Sequence, residues 1–123
     1  MNERQLEYFR RKLLAWRDEL LAEAQSTLDT MREAPTDGAD EADRASRESD
    51  TNFELRTRDR ERKLISKINA ALEKIEDGSY GYCEETGEPI GIKRLQARPV
   101  ATLTIEAQER HERKERTQRD ERE

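Results

Sequence analysis

Between residues 2 and 34 the apolar positions advance by threes and fours: Leu6, Phe9, Leu13, Trp16, Leu20, Ala24, Leu28 and Met31. In an α-helix that step returns to one face, so the pattern predicts a long helix with a single apolar seam. Asn2, with Gln5 three residues on and Leu6 behind it, has the signature of a capping box. Pro35 and Gly38 then interrupt the pattern in Ala34-Pro35-Thr36-Asp37-Gly38. Proline disfavours helix at the residue before it, so the helix is expected to stop near Ala34. A second helix is predicted over 40–77, with Asp37 ahead of it as a cap. Its seam is thin at first (Ala42, Ala45, Phe53) and fuller later (Leu64, Ile68, Ala71, Ile75, flanked by Ile65 and Leu72). Gly78 is a C-terminal stop. Helices 2–34 and 40–77, joined by a tip loop at 35–39, are expected to fold back as an antiparallel coiled-coil hairpin.

Residues 79–123 lose this periodicity and are expected to form a small head. Tyr80-Gly81-Tyr82-Cys83 and Pro89-Ile90-Gly91-Ile92 flank the turn signal Thr86-Gly87, which predicts a short β-hairpin. Lys93 to Ala97 should make a helical turn before Pro99. Thr102 or Thr104 should cap a last helix from about Ile105, fraying at its charged end. Tyr80, Tyr82, Ile90, Ile92, Leu95, Leu103 and Ile105 are the expected apolar cluster of the head. The expected class is mainly α: hairpin 1–78 and head 79–123.

Composition narrows the function. Hydrophobic residues make up 32% and charged residues 43%, which fits disorder or solvated helices with a narrow seam, and the periodicity selects the helices. A net charge of -5 argues against a general nucleic-acid binder. No apolar run approaches the roughly 20 residues of a membrane span, and Met-Asn-Glu-Arg has no signal-peptide character. A single cysteine cannot make an internal disulfide, so a reducing, cytoplasmic setting is expected. With one histidine, no His/Cys or Ser/His pairing and no glycine-rich phosphate loop, an enzyme is not expected.

Two charged regions stand out. Residues 36–50 hold Asp37, Asp40, Glu41, Asp43, Glu48 and Asp50 against Arg44 and Arg47. Acids at a helix N-terminus favour its dipole, which accounts for Asp37 and Asp40 better than for Asp43. Such carboxylates can meet a partner's metal or basic groups, but they cannot hold magnesium alone. Further on come Arg56, Arg58, Arg60, Arg62 and Lys63. Arg56, Arg60 and Lys63 fall near one face, while Arg58 and Arg62 are expected to pair with Glu54, Asp59 and Glu61.

Five stretches are specific: Phe9-Arg10-Arg11 with Trp16; Asp40-x-x-Asp43-Arg44-Ala45; Glu54-Leu55-Arg56 through Arg58-Asp59-Arg60-Glu61-Arg62-Lys63-Leu64-Ile65; Gly81-Tyr82-Cys83; and Ile90-Gly91-Ile92-Lys93-Arg94-Leu95-x-Ala97-Arg98-Pro99. On these the chain resembles, over nearly its whole length, the DksA/TraR family of RNA-polymerase-binding transcription regulators. The resemblance implies a factor whose coiled coil enters the secondary channel of bacterial RNA polymerase and acts on initiation with the alarmone (p)ppGpp; the hairpin itself predicts a monomer. It assigns Asp40, Asp43 and Ala45 to the tip near the active centre, Arg56 and Arg60 to polymerase contacts, and Leu64, Lys67, Arg94 and Arg98 to a (p)ppGpp site. A basic residue of the family falls on Gln108 here, which removes one cation.

The family's four-cysteine zinc site, two Cys-x-x-Cys pairs, falls on Cys83, Thr86, Thr104 and Ala107. The spacing survives and three ligands do not. A structural zinc needs about four Cys or His ligands, so no zinc is expected. The chain then resembles the cysteine-depleted, zinc-free branch, a zinc-independent substitute under zinc limitation or oxidative stress. Cys83 reads as a small packing residue, or alternatively a regulatory thiol, and His111 as surface. The competing readings are a transcript-cleavage factor using the same channel and a structural coiled-coil adaptor that dimerises through its seam.

Overall fold

The computed structural model describes residues 1–33 and 41–122. They form four helices: α1 (Glu3–Glu33), α2 (Glu41–Asp77), α3 (Ile92–Ala97) and α4 (Ile105–Arg122). The expected tip loop 35–39, the stop at Ala34, the Asp37 cap and Asp40 lie outside the described residues. The chain divides into two compact units, Met1–Arg10 with Ala70–Glu123, and Arg11–Asn69.

The start of α1 is fixed reciprocally. The Gln5 amide donates to Asn2 Oδ1 at 2.9 Å and the Asn2 amide donates to Gln5 Oε1 at 3.1 Å. Two of the donors that a helix start leaves unpaired are thereby satisfied. At the end of α2, Gly78 takes φ 85, and the amides of Ser79 and Tyr80 both reach the carbonyl of Lys74 (3.0 and 3.1 Å). A left-handed residue is what this closure needs, and glycine adopts it without a Cβ clash. The Asp77 carboxylate accepts from the Ser79 hydroxyl at 2.5 Å and from the Ser79 amide at 2.8 Å.

Those two bonds, the hydroxyl's first, hold the Asp77 carboxyl below its usual 3.8. A depressed carboxylate stabilises the fold above its unfolded value and loses that contribution as pH falls through the folded value. The melting temperature of the native chain should therefore exceed that of Asp77→Asn at pH 6, with the gap closing below about pH 4. A gap that persists unchanged to pH 2 would assign it to something other than the Asp77 charge.

In the unit Arg11–Asn69 the helical segments lie side by side. Leu13, Leu20 and Ile68 are buried, Trp16, Ala24, Leu28, Leu64 and Ile65 half-buried, and Arg17 Nη1 donates to Asn69 Oδ1 at 2.8 Å. The α2 seam differs from expectation in its early half. Ala45 is exposed and Phe53 is 66% exposed. Stepping back from Ile68 by alternating fours and threes reaches Leu64, Glu61, Thr57 and Glu54, all half-buried. Phe53 is one residue off that register, about 100° around the helix. Glu61 therefore occupies a seam position, and its Oε2 is buried without a hydrogen-bond partner.

In the other unit, Phe9, Ala71, Tyr80, Cys83, Ile90, Leu95, Thr104 and Ala107 are buried. The Phe9 ring lies 5.7 Å from Tyr80 and 5.1 Å, edge-on, from Tyr8. Of the expected head cluster, Tyr82, Ile92 and Ile105 are exposed instead. The expected β-hairpin is not found. Among the described residues Tyr82 and Pro89 form one isolated antiparallel bridge and no strand. Pro89 has no amide to extend a ladder, and Gly81 and Gly91 take φ 91 and 100, outside the extended region. The segment is instead a tight loop closed by Gly87 N–H to Cys83 O (2.9 Å), Cys83 N–H to Glu88 O (2.8 Å) and Ile90 N–H to Gly81 O (2.8 Å).

The buried Tyr80 hydroxyl donates to the carbonyl of Pro99 at 2.8 Å, and burial raises its pKa well above the usual value. Tyr80→Phe keeps the ring against Phe9 but strands that carbonyl. It should lower stability by about 1–2 kcal/mol in urea denaturation. No loss would mean that water replaces the hydroxyl. Thr104 caps α4 by accepting from the Ala107 amide at 3.3 Å. The helix runs to Arg122. Glu106, Glu109, Glu112 and Glu115 each precede an arginine by four residues, the order that favours helix.

Candidate functional site

Near the N-terminus of α2, Asp43 and Ala45 are both exposed. Asp43 engages a neighbouring group. Asp40, the third expected tip residue, is outside the described residues. Further along α2, Arg56, Arg60, Lys63 and Lys67 follow at steps of four, three and four, and all are exposed. Those steps keep them on one helix face. Among the described residues no ion pair engages any of the four, nor Arg58 or Arg62, for which pairing with Glu54, Asp59 and Glu61 was expected. The face is thus a row of uncompensated cations. Leu64, beside it, is half-buried.

The residues expected to hold (p)ppGpp fall in both compact units. Leu64 and Lys67 belong to one, Arg94 and Arg98 to the other. Arg94 is half-buried, and its Nε donates to the carbonyl of Leu103 at 2.9 Å. One edge of the guanidinium thus fixes α3 to the segment before α4. Arg98 is exposed. Gln108 is half-buried on α4 and reaches Glu112 Oε1 at 3.4 Å.

The four family zinc positions belong to the head. Cys83 and Thr104 are buried together, the Thr104 hydroxyl 3.9 Å from Cys83 Sγ. Thr86 is exposed, and Ala107 is buried and offers no side-chain donor. Burial pushes the Cys83 thiol up. Hydrogen bonds from the Thr86 hydroxyl and from the amides of Thr104, Thr86 and Glu85 outweigh it and bring the pKa to about 6. The lowering comes from hydrogen-bond donors rather than from a neighbouring cation. Among the described residues no three His, Cys, Asp or Glu side chains gather where a metal could sit. One thiol and two hydroxyls fall short of the four Cys or His ligands of a structural zinc site.

His111, expected as plain surface, sets its Nε2 against the Glu85 carboxylate, and Lys74 pairs with Glu84. With Glu84 N–H donating to Thr102 O at 2.9 Å, the Cys83 loop is tied to α2, to α4 and to the segment between α3 and α4. Partners 26 residues apart carry no local sequence signal, which is why the histidine's role was missed. None of the described helices is long and apolar enough to cross a membrane.

Comparison with known proteins identifies the family. Residues 5–75 match the family described as DnaK suppressor protein DksA, N-terminal domain, and residues 78–113 the prokaryotic dksA/traR C4-type zinc finger. The chain is 64% identical over 121 residues to the RNA polymerase-binding transcription factor DksA of Caulobacter vibrioides, covering 98% of this chain and 85% of that protein. It is 51% identical over 106 residues to the protein of the same name from Escherichia coli K12, covering 86% and 70%. The solved structure of transcription factor DksA2 from Pseudomonas aeruginosa superposes with a TM-score of 0.86 at 49% identity, covering 94% of this chain and 89% of that one.

The zinc-finger match corrects the expectation that the head takes no zinc. The family to which residues 78–113 belong is a C4 zinc module, and that match points to zinc binding. The expected role as a zinc-independent substitute, which rested on a metal-free head, goes with it. The two matches, the identities spread along the whole chain and the superposition agree: this chain belongs to the DksA family.

Proposed function

We propose that this protein is a bacterial transcription regulator that binds RNA polymerase, enters its secondary channel with hairpin 1–78, and modulates initiation together with (p)ppGpp. The observation that carries this reading is the 64% identity, over 98% of the chain, to a protein named as an RNA polymerase-binding transcription factor. In the proposed division of labour, head 79–123 stays outside the channel. Asp40, Asp43 and Ala45 act at the tip, and Arg56 and Arg60 hold the polymerase. Leu64, Lys67, Arg94 and Arg98 take the alarmone, whose phosphates suit lysine and bidentate arginine. The exposed, unpaired state of Arg56, Arg60 and Lys67 supports these roles, because no internal ion pair has to break first. The protein has no reaction of its own in this scheme. Its carboxylates alter the electrostatics of another protein's site.

The test is transcription in vitro from a promoter whose open complex is short-lived, with RNA polymerase, the native chain, and (p)ppGpp present or absent. The native chain should change open-complex lifetime several-fold, and more strongly with the alarmone. A lifetime indistinguishable from buffer in both conditions would remove the reading.

A further inference from the structure

Phe53 is the most exposed of the large apolar side chains among the described residues, at 66%. It is not a stray surface residue. Ser49, Phe53, Arg56, Arg60, Lys63 and Lys67 follow at steps of four, three, four, three and four, and all six are exposed. Those steps keep one face of α2 upward throughout. The face therefore carries one aromatic ring at its tip-proximal end, then four cations, and no carboxylate at any of the six positions. The helix has placed its seam elsewhere, with half-buried Glu54, Thr57 and Glu61 where an aromatic would have served the hairpin better. The ring is thus withheld from the protein's own core, in register with a row of unpaired charge.

We propose that Phe53 is the apolar anchor of this cationic stripe, inserting into an apolar slot on an acidic surface of the polymerase while Arg56, Arg60 and Lys63 lie against its carboxylates and Lys67, at the far end, is left to the alarmone. The inference rests on the polymerase-binding reading and adds a residue and a mode of contact to it. Charge selects the occupant. Four cations in a row, on a chain whose net charge is -5, attract a locally acidic protein surface. A polynucleotide is disfavoured by that net charge, and by a single ring where successive bases would need several. A second copy docking face to face would set the four cations against four more. An aromatic that is solvated when free and buried on docking is the type of side chain that dominates binding energy, because it adds large area at little entropic cost.

The experiment measures equilibrium binding of the full chain to RNA polymerase at several salt concentrations, for the native protein, Phe53→Ala, Phe53→Leu and Arg60→Gln. Because Phe53 is exposed, its variants should keep native helicity and melting temperature, which circular dichroism checks. Phe53→Ala should bind about 10- to 100-fold more weakly with an unchanged salt slope, and Phe53→Leu should recover part of the loss. Arg60→Gln should instead flatten the salt slope. Failure of the native chain to bind polymerase would remove the functional reading itself. Native binding with Phe53→Ala equal to it would overturn the anchor alone. So would a Phe53-dependent affinity for a single-stranded oligonucleotide, or Phe53-dependent self-association in sedimentation, in place of the polymerase effect.

Discussion

Phe9→Ala is expected to lower the unfolding free energy by about 3–5 kcal/mol. Phe9 is 1% exposed. Its ring meets Tyr80 at 5.7 Å and Tyr8 at 5.1 Å, so truncation removes both aromatic contacts and leaves a cavity at a buried site. Tyr80 in turn holds the Pro99 carbonyl. The loss should therefore pass to the segment that precedes α4. Chemical denaturation gives the free energy, and a melting temperature lower by about 10–20 °C should accompany it. Phe9→Leu should retain much of the native value. A loss below about 1 kcal/mol for the alanine variant would mean that the site collapses around the gap, against the packing described here.

Asp43→Asn is expected to have the largest functional effect. On the proposed reading it should reduce the change in open-complex lifetime at least about tenfold while polymerase binding stays within about twofold, since only charge at the tip is altered. Asparagine keeps the size of the side chain and an acceptor oxygen, and removes the negative charge. Asp43 is exposed near the start of α2 and engages a neighbouring group, so the substitution should move stability by no more than about 1 kcal/mol, from the helix dipole and that surface contact together. The measurement pairs open-complex decay with direct binding. If Asp43→Asn matches the native chain in both, the tip does not work through this carboxylate. If it loses binding to the same extent as activity, Asp43 is a docking residue rather than an effector.

How much of this was legible beforehand follows the range of the interactions. The α1 seam was readable because Leu13 and Leu20 stand on a repeated local step, and both are buried. The Asn2–Gln5 cap spans three residues and is present with both bonds formed. Gly78 was readable as a stop because its left-handed backbone is a single-residue property. The early half of α2 was misread. Phe53 was placed in the seam on hydrophobicity, but the register set by Ile68 passes through Glu54, Thr57 and Glu61. A one-residue difference is about 100° on a helix, and a thin seam offers too few apolar residues to fix it.

The head was misread for a related reason. Turn residues around Thr86-Gly87 were visible, but a hairpin needs a ladder, and Pro89 with left-handed Gly81 and Gly91 denies it one. The zinc expectation came from counting cysteines in this chain, and the match of residues 78–113 to a C4 zinc-finger family overturned it.

The sequence by itself determined the two long helices, the Asn2–Gln5 cap, the Gly78 stop and the family motifs, because each rests on residues within a few positions of one another. The tertiary structure alone decided the rest. It turned Phe53 and the four cations outward, and it sets His111 against Glu85 and Arg94 against Leu103. It also surrounds the Cys83 sulfur with amide donors from Glu85, Thr86 and Thr104. Those outcomes depend on which face of each helix meets which distant segment. That choice is made by packing the whole unit at once, and no local window of the chain contains it.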